Sequence, residues 1–267
     1  MLGHIPLGQF IPGHSPAHRL SPVSKIVIVI VSAVGIMLLP GFYGLLIAGG
    51  YLLLMMLFTG GTAVYAFKGL KPLWILIAFT FIFQALAVPG EPVFTLGAFD
   101  VTRQGLEKAG LMTGRLLFLV LLASLLTLTT SPIGLTRGLE KLLSPLKKFG
   151  LPVHELAMMM TIALRFIPTL INEAEVIIKA QRSRGSDLTR GNPVDRIKAL
   201  IPFIVPLLAG SLRRAEELAV AMEARCYRGG NNRTAMKQMK MGRIDFAALT
   251  LALLFLLISI SARLAGW

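Results

Sequence analysis

IVIVIVSAVGIMLLPGFYGLLIAGGYLLLMMLF, residues 26–58, decides the fold: it is about 33 positions without a charged side chain, where one passage through a bilayer takes roughly 20. Two passages fit this run better than one. Pro40-Gly41 supplies the turn between them, because proline withholds a backbone donor and glycine tolerates the left-handed conformations that reverse a chain. Outward from there, Pro72 to Val88 opens on a proline at a helix start, Leu111 to Thr130 follows, and Phe246 to Ile260 lies between Arg243 and Arg263. Five spanning helices are expected. Gly110-x-x-x-Gly114 sits at the start of the fourth, a spacing that lets two helices approach closely in a membrane.

The composition agrees. With 267 residues, 55% hydrophobic composition and a mean hydropathy of +0.73, the chain is too apolar to cover itself with polar surface in water. The net charge of +14 raises the question of a nucleic-acid partner, but 19 of the 27 basic residues and 9 of the 13 acids fall together between Ser131 and Arg243. Only Phe149, Phe166, Phe203 and Tyr227 accompany them there, so a base-stacking platform is missing and no nucleic acid is expected.

The basic excess marks orientation instead. Thr59 to Lys71 carries Lys68 and Lys71 and no acid, whereas Pro89 to Ala109 sets Glu91, Asp100 and Glu107 against Arg103 and Lys108. By the positive-inside rule the first loop, the N-terminus and the whole of Ser131 to Arg243 face the cytoplasm, and the second loop and the last residues lie outside. The lone Cys226 excludes an internal disulfide and any multi-cysteine metal site, and fits a reducing compartment. A polar arm of 25 residues without an Ala-x-Ala-like exit precedes the first apolar run, so a cleaved signal is not expected.

Between the fourth and fifth spans the period becomes that of amphipathic helices with wide apolar faces. Ser131-Pro132 starts a short helix that Gly150-x-Pro152 stops, and Val153 to Arg184 is a second, with Gly185 as its cap. A third runs from Val194 to Arg228 and is closed by Gly229-Gly230. Its most apolar part, Ala199 to Gly210, is only 12 residues and holds Pro202 and Pro206, too short to cross. The expected class is an all-α integral membrane protein in three parts: 1–130, an N-terminal arm and four spans; 131–243, a cytoplasmic domain of three long helices; and 244–267, the last span.

The two long helices end alike, in Ala180-x-x-Ser183-Arg184-Gly185 and Ala221-x-x-Ala224-Arg225-Cys226, with the arginines 41 residues apart. An arginine in a last helical turn is favoured by about 0.3–1 kcal/mol through the dipole alone. That accounts for either end but less well for the pair. Met158, Met159 and Met160 point to several sides of their helix and suit either a core or a surface that adapts to more than one partner. His14 and His18 have i, i+4 spacing, but Pro12 and Pro16 disfavour the helix a metal pair would need. A Gly-x-x-x-x-Gly-Lys-[Ser/Thr] loop, His-Glu-x-x-His and Gly-x-Ser-x-Gly do not occur. The spans hold few ionisable groups, Arg115 near one end of the fourth among them. A stand-alone pump or enzyme is therefore disfavoured, and neither cofactor nor metal is expected.

These residues also carry a resemblance. Gly8-Gln-Phe-Ile-Pro-Gly13, Ser15-Pro-Ala-His-Arg-Leu20, Thr129-Thr-Ser-Pro132, Leu139-Glu-Lys-Leu-Leu143, Ala163-Leu-Arg-Phe-Ile-Pro168 and Ala221-Met-Glu-Ala-Arg225 together resemble the transmembrane T component of energy-coupling factor transporters, over nearly the whole chain. The resemblance implies a non-catalytic subunit that transmits ATP hydrolysis by two ABC-type ATPase subunits to a substrate-binding membrane S component, for uptake of vitamins or other micronutrients. It implies that two Ala-Arg-Gly-type motifs dock into the ATPases. They map onto Ser183, Arg184 and Gly185 and onto Ala224, Arg225 and Cys226, with serine in place of the first alanine and cysteine in place of the last glycine. The alternatives are the T subunit of a dedicated cobalt or nickel system and, from another class, an intramembrane enzyme.

Overall fold

The computed structural model describes residues 10–13, 15–60, 63–96, 99–185, 193–227, 229 and 241–265. In chain order the elements are α1 (Pro16–Arg19), α2 (Pro22–Leu38), α3 (Gly41–Thr59), α4 (Ala63–Lys68), α5 (Trp74–Ala87), β1 (Pro92–Leu96), β2 (Phe99–Thr102), α6 (Arg103–Thr129), α7 (Pro132–Leu143), α8 (Val153–Ser183), α9 (Pro193–Ala224) and α10 (Arg243–Leu264). They divide into two compact units: Pro6–Leu142 with Gln238–Trp267, and Leu143–Lys237.

The first unit contains α1 to α7 and α10. Ser21 opens α2 as an N-cap, its hydroxyl accepting the Ser24 N–H, with Pro22 in the first turn. The expected turn at Pro40-Gly41 is present, Gly41 taking the positive φ of 59° that a side chain resists. Gly35 of α2 admits the ring of Phe255 from α10, which would lie 2.6 Å from a Cβ at that position. Tyr51 stacks on the same ring at 4.1 Å, and its hydroxyl pairs with that of Ser32 at 2.7 Å. Around this contact Ile36, Leu39, Ala48, Leu52 and Leu122 form one buried cluster; Met56, Leu121, Leu125 and Leu128 form a second along α6. The outward faces are equally apolar. Leu57 is 82% exposed and Ile75 80%, an arrangement stable only where hydrocarbon replaces water.

Several boundaries differ from the sequence-based expectation. Among the described residues, α3, Tyr65–Ala87, α6, α8 and α10 are long and apolar enough to cross, while α2 is a shorter apolar helix of 17 residues. The number five thus recurs with a different membership: α8, with a mean hydropathy of 1.3 in its most apolar window against 1.8–2.3 in the other four, joins the set. The fourth span begins at Arg103 rather than Leu111, because Thr102 caps it through the Gly105 N–H (3.0 Å) and Arg103 pairs with Glu107 one turn on. Polar first turns hid that start. The segment expected as an outside loop forms the antiparallel β1–β2 ribbon, with Leu96 opposite Phe99, a local addition to an otherwise helical molecule. Gly114 receives a side chain, Leu45 of α3, which would stand 2.7 Å from a Cβ there, and no second backbone.

In the second unit the chain passes through a 3-10 turn at Ser144–Phe149 and reverses at Gly150 (φ 83°) into α8, a 31-residue helix with Pro168 inside it. α9 has 32 residues and contains Pro202 and Pro206. It ends at Ala224, four residues before the Arg228 boundary expected from sequence. α8 and α9 pack antiparallel: Gln181 reaches the carbonyl of Pro202, and Glu173 meets Arg214.

Candidate functional site

The two small-Arg-small triplets adopt one local geometry. At the end of α8, Arg184 is the C-cap residue, its N–H donating to the carbonyls of Ala180 (3.2 Å) and Gln181 (3.1 Å). Gly185 then turns left-handed at φ 86° and donates to Arg182 at 3.0 Å. At the end of α9, the Arg225 N–H donates to Ala221 (3.3 Å) and Met222 (3.1 Å), and Cys226 turns left-handed at φ 56° and donates to Glu223 at 2.8 Å. Tyr227 completes this cap with a bond to Met222 at 3.0 Å, the six-to-one closure of a Schellman motif.

Left-handed backbone is where glycine belongs, and Cys226 is the one non-glycine residue with positive φ among those described. The departure from glycine noted in the sequence therefore falls at a strained position, at a cost of roughly 1 kcal/mol. Ser183, Arg184, Gly185, Ala224, Arg225 and Cys226 are all exposed. Ser183 turns its hydroxyl back to the Lys179 carbonyl at 3.1 Å. Each triplet thus leaves a guanidinium free to reach outward from a helix end, with five N–H donors in a planar fork.

The hairpin sets where these ends lie. Facing positions run Gln181 to Pro202, Glu173 to Gly210 and Arg214, and Glu155 to Gly229, where a Cβ would stand 3.9 Å from the Glu155 carboxylate. Continued along the pair, this register sets Arg225 beside the beginning of α8. The two arginines are separated by about 25 residues of helix, on the order of 40 Å at 1.5 Å per residue. They occupy opposite ends of the hairpin. The 41-residue spacing seen in the sequence does not reveal this, since it fits two parallel ends equally well.

Around the arginines the hairpin is apolar and open. Ile201, Ile204, Val205, Leu208 and Leu212 on α9 are exposed, Leu212 by 71%, as are Leu156, Met159, Met160 and Val176 on α8. Met158 is intermediate; the methionine run therefore lies partly at the surface. Of the two histidines at i, i+4 spacing, disfavoured as a metal pair, His14 lies outside the described residues. His18 is engaged by Ser15 Oγ (2.6 Å) and the Ile11 carbonyl (3.0 Å).

Sequence reading missed a second polar cluster, in the first unit. Lys25 and Asp245 are 7% and 4% exposed. The Lys25 ammonium donates to the Thr129 carbonyl at 2.7 Å, and the Asp245 carboxylate accepts the N–H groups of Ser21 (2.7 Å) and Gly242 (2.8 Å). These bonds tie the starts of α2 and α10 and the end of α6 to one another. The only sequence signal was two opposite charges, each at the edge of an apolar run.

The chain has relatives among known proteins. The family model described as "Cobalt transport protein" (CbiQ) matches residues 13–236. The "Energy-coupling factor transporter transmembrane protein EcfT" of Heliobacterium modesticaldum is 50% identical over 247 residues, 92% of this chain and 93% of that one. Proteins of the same name from Clostridium kluyveri and Brevibacillus brevis are 47% and 49% identical, covering 99% and 90% of this chain and 98% and 91% of theirs. A multi-pass helical membrane protein that shares half its residues with these transporter subunits along almost its full length belongs to their family, the transmembrane components of energy-coupling factor transporters.

Proposed function

We propose that this chain is the non-catalytic coupling subunit of an energy-coupling factor importer: it receives the motion of two ABC-type ATPases at Arg184 and Arg225 and passes it to a membrane S component that captures a vitamin or other micronutrient. One observation carries the reading. Two helix ends of like build, each presenting an exposed arginine followed by a left-handed residue, stand at opposite ends of one antiparallel hairpin. Dipole complementation would explain either arginine alone, whereas two copies of a partner, each with one groove, need two equivalent ends set apart. The exposed apolar faces of α8 and α9 are the surface proposed for the S component. Substrate identity then rests with that partner.

In this reading the hairpin is cytoplasmic and α8 does not cross, although its length would allow it. Arg165, Glu173, Glu175, Lys179 and Arg182 lie along it, and such charges are expensive at mid-membrane. Single cysteines in a Cys226→Ser background test the orientation: in intact cells an impermeant thiol reagent should label position 99 and spare position 68. The reverse pattern inverts the topology.

The deciding experiment is co-purification of tagged Arg184→Ala/Arg225→Ala protein with its ATPases, beside Lys147→Ala/Lys148→Ala as a charge-matched control. The double variant should insert normally and lose its ATPases, and a variant that keeps them removes the assignment. The chain purified alone should neither bind nor hydrolyse ATP. Membership of a family described as cobalt transport proteins also favours a second reading, a dedicated cobalt or nickel system; mass spectrometry of the native complex separates the two by which capturing subunit co-purifies.

A further inference from the structure

α9 carries two features that a helix normally avoids. Pro206 has no N–H, so the carbonyl of Pro202 four residues earlier loses its intrahelical donor. Gly210 weakens the helix interior by roughly 1 kcal/mol relative to alanine. Both sites are answered from α8. The Gln181 side-chain amide donates to the Pro202 carbonyl at 3.2 Å, restoring the missing bond from outside. At Gly210 the carboxylate of Glu173 occupies the space a side chain would need, 2.8 Å from a Cβ, and pairs at 2.8 Å with Arg214 one turn on. The pair is sheltered, with side-chain exposures of 24% for Glu173 and 33% for Arg214.

We propose that Gln181 with Pro202 and Glu173 with Arg214 over Gly210 are two register pegs that fix α8 against α9 and thereby hold the two arginine-bearing ends at their separation. Helix pairs packed mainly through apolar side chains can slide by a turn. Here the sequence opposes sliding in either direction. One turn of displacement brings Arg213 into the place of Gly210, where the Glu173 carboxylate leaves no room for a side chain, and Glu217 into the place of Arg214; the opposite displacement brings Leu207 and Ser211 to those two places and leaves Glu173 with no cation. It also strands the Pro202 carbonyl. The prolines of α9 therefore leave an acceptor that Gln181 meets in this register. Glu173, Gly210, Arg214 and Gln181 act as positioning residues for Arg184 and Arg225.

This inference rests on the coupling role proposed above, and the test keeps the two apart. Spin labels on Val220→Cys and Lys179→Cys in a Cys226→Ser background, each five residues before one of the arginines and outside the docking triplets, report the distance between the two helix ends in the full-length protein purified with its partners; ATPase co-purification is read on the same samples. Glu173→Gln and Gly210→Ala should keep the helical content but broaden the distance distribution and reduce ATPase retention at least threefold. The exchange Glu173→Arg/Arg214→Glu should restore both. A distribution as narrow as the parent's in Glu173→Gln overturns the pegs, as does an exchange that fails to rescue. Broadening with undiminished ATPase retention severs register from docking and overturns the proposal as well. If instead Arg184→Ala/Arg225→Ala keeps its ATPases, the coupling role itself has failed, while the distances still report whether the register is pegged.

Discussion

The two units of this molecule treat their large apolar residues in opposite ways. In the unit of α1 to α7 and α10, Ile36, Leu52, Leu122, Leu128 and Phe255 are nearly sealed from the surface. Among the described residues of the α8–α9 unit, only Val153, Ala157 and Phe203 are buried. A bundle with its own core can hold its shape within lipid. A two-helix hairpin without one cannot bury enough surface to offset the entropy of ordering two helices of 31 and 32 residues, so its stability must come from what it touches. The polar contacts follow the same division. The first unit buries two charged groups, Lys25 and Asp245, and the second displays Arg184 and Arg225 at exposed helix ends.

The largest effect expected from breaking this contrast lies at the buried charges. Asp245→Ala removes the acceptor for Ser21 and Gly242 and leaves Lys25 buried without a counter-charge, a loss of roughly 3–5 kcal/mol. It should appear as a large drop in the thermal unfolding temperature of the detergent-purified chain. If Lys25→Met/Asp245→Leu recovers most of that loss, the pair sustains specificity more than stability; if Asp245→Ala is neutral, the inward-charge picture of the first unit is wrong.

At the hairpin ends the expected change is in binding and not in folding. Arg184→Ala and Arg225→Ala should each weaken ATPase association by at least tenfold, about 1.4 kcal/mol or more, with an unaltered unfolding temperature. Equal losses from the two would confirm that the matched caps are functionally equivalent, and a loss at one end alone would show that only that end docks. Leu212→Ser, on the exposed face of α9, sharpens the contrast further. It should leave the isolated chain as stable as before and reduce co-purification of the S component several-fold, whereas Leu128→Ser in the first unit should destabilise the chain itself by about 2 kcal/mol or more.

The smallest effect is expected at Cys226. Cys226→Gly relieves the left-handed strain at the end of α9 and should stabilise that cap by up to about 1 kcal/mol while transport and assembly stay near normal. Amide exchange at Tyr227, whose N–H closes the cap, is the measurement that would show it. A severe loss of transport would assign the thiol a role that cap geometry does not explain.

The amino-acid sequence by itself determined the properties that depend on neighbours a few positions away. The apolar runs of α3, α5, α6 and α10, the Pro40-Gly41 turn, the stop at Gly150 and the glycine cap of α8 all rest on local sterics and backbone hydrogen bonding, and all were legible in order. The likeness of Ser183-Arg184-Gly185 to Ala224-Arg225-Cys226 was legible too. Only the tertiary structure decided that the two arginines point from opposite ends of one hairpin, that Lys25 and Asp245, 220 positions apart, share a buried site, and that Gln181 repairs the backbone that Pro206 leaves open. Nothing local encodes such pairings. Each is the outcome of a whole-molecule search in which a buried donor, acceptor or charge is stable only beside one particular partner, and that partner's place in the chain is set by topology rather than by sequence distance.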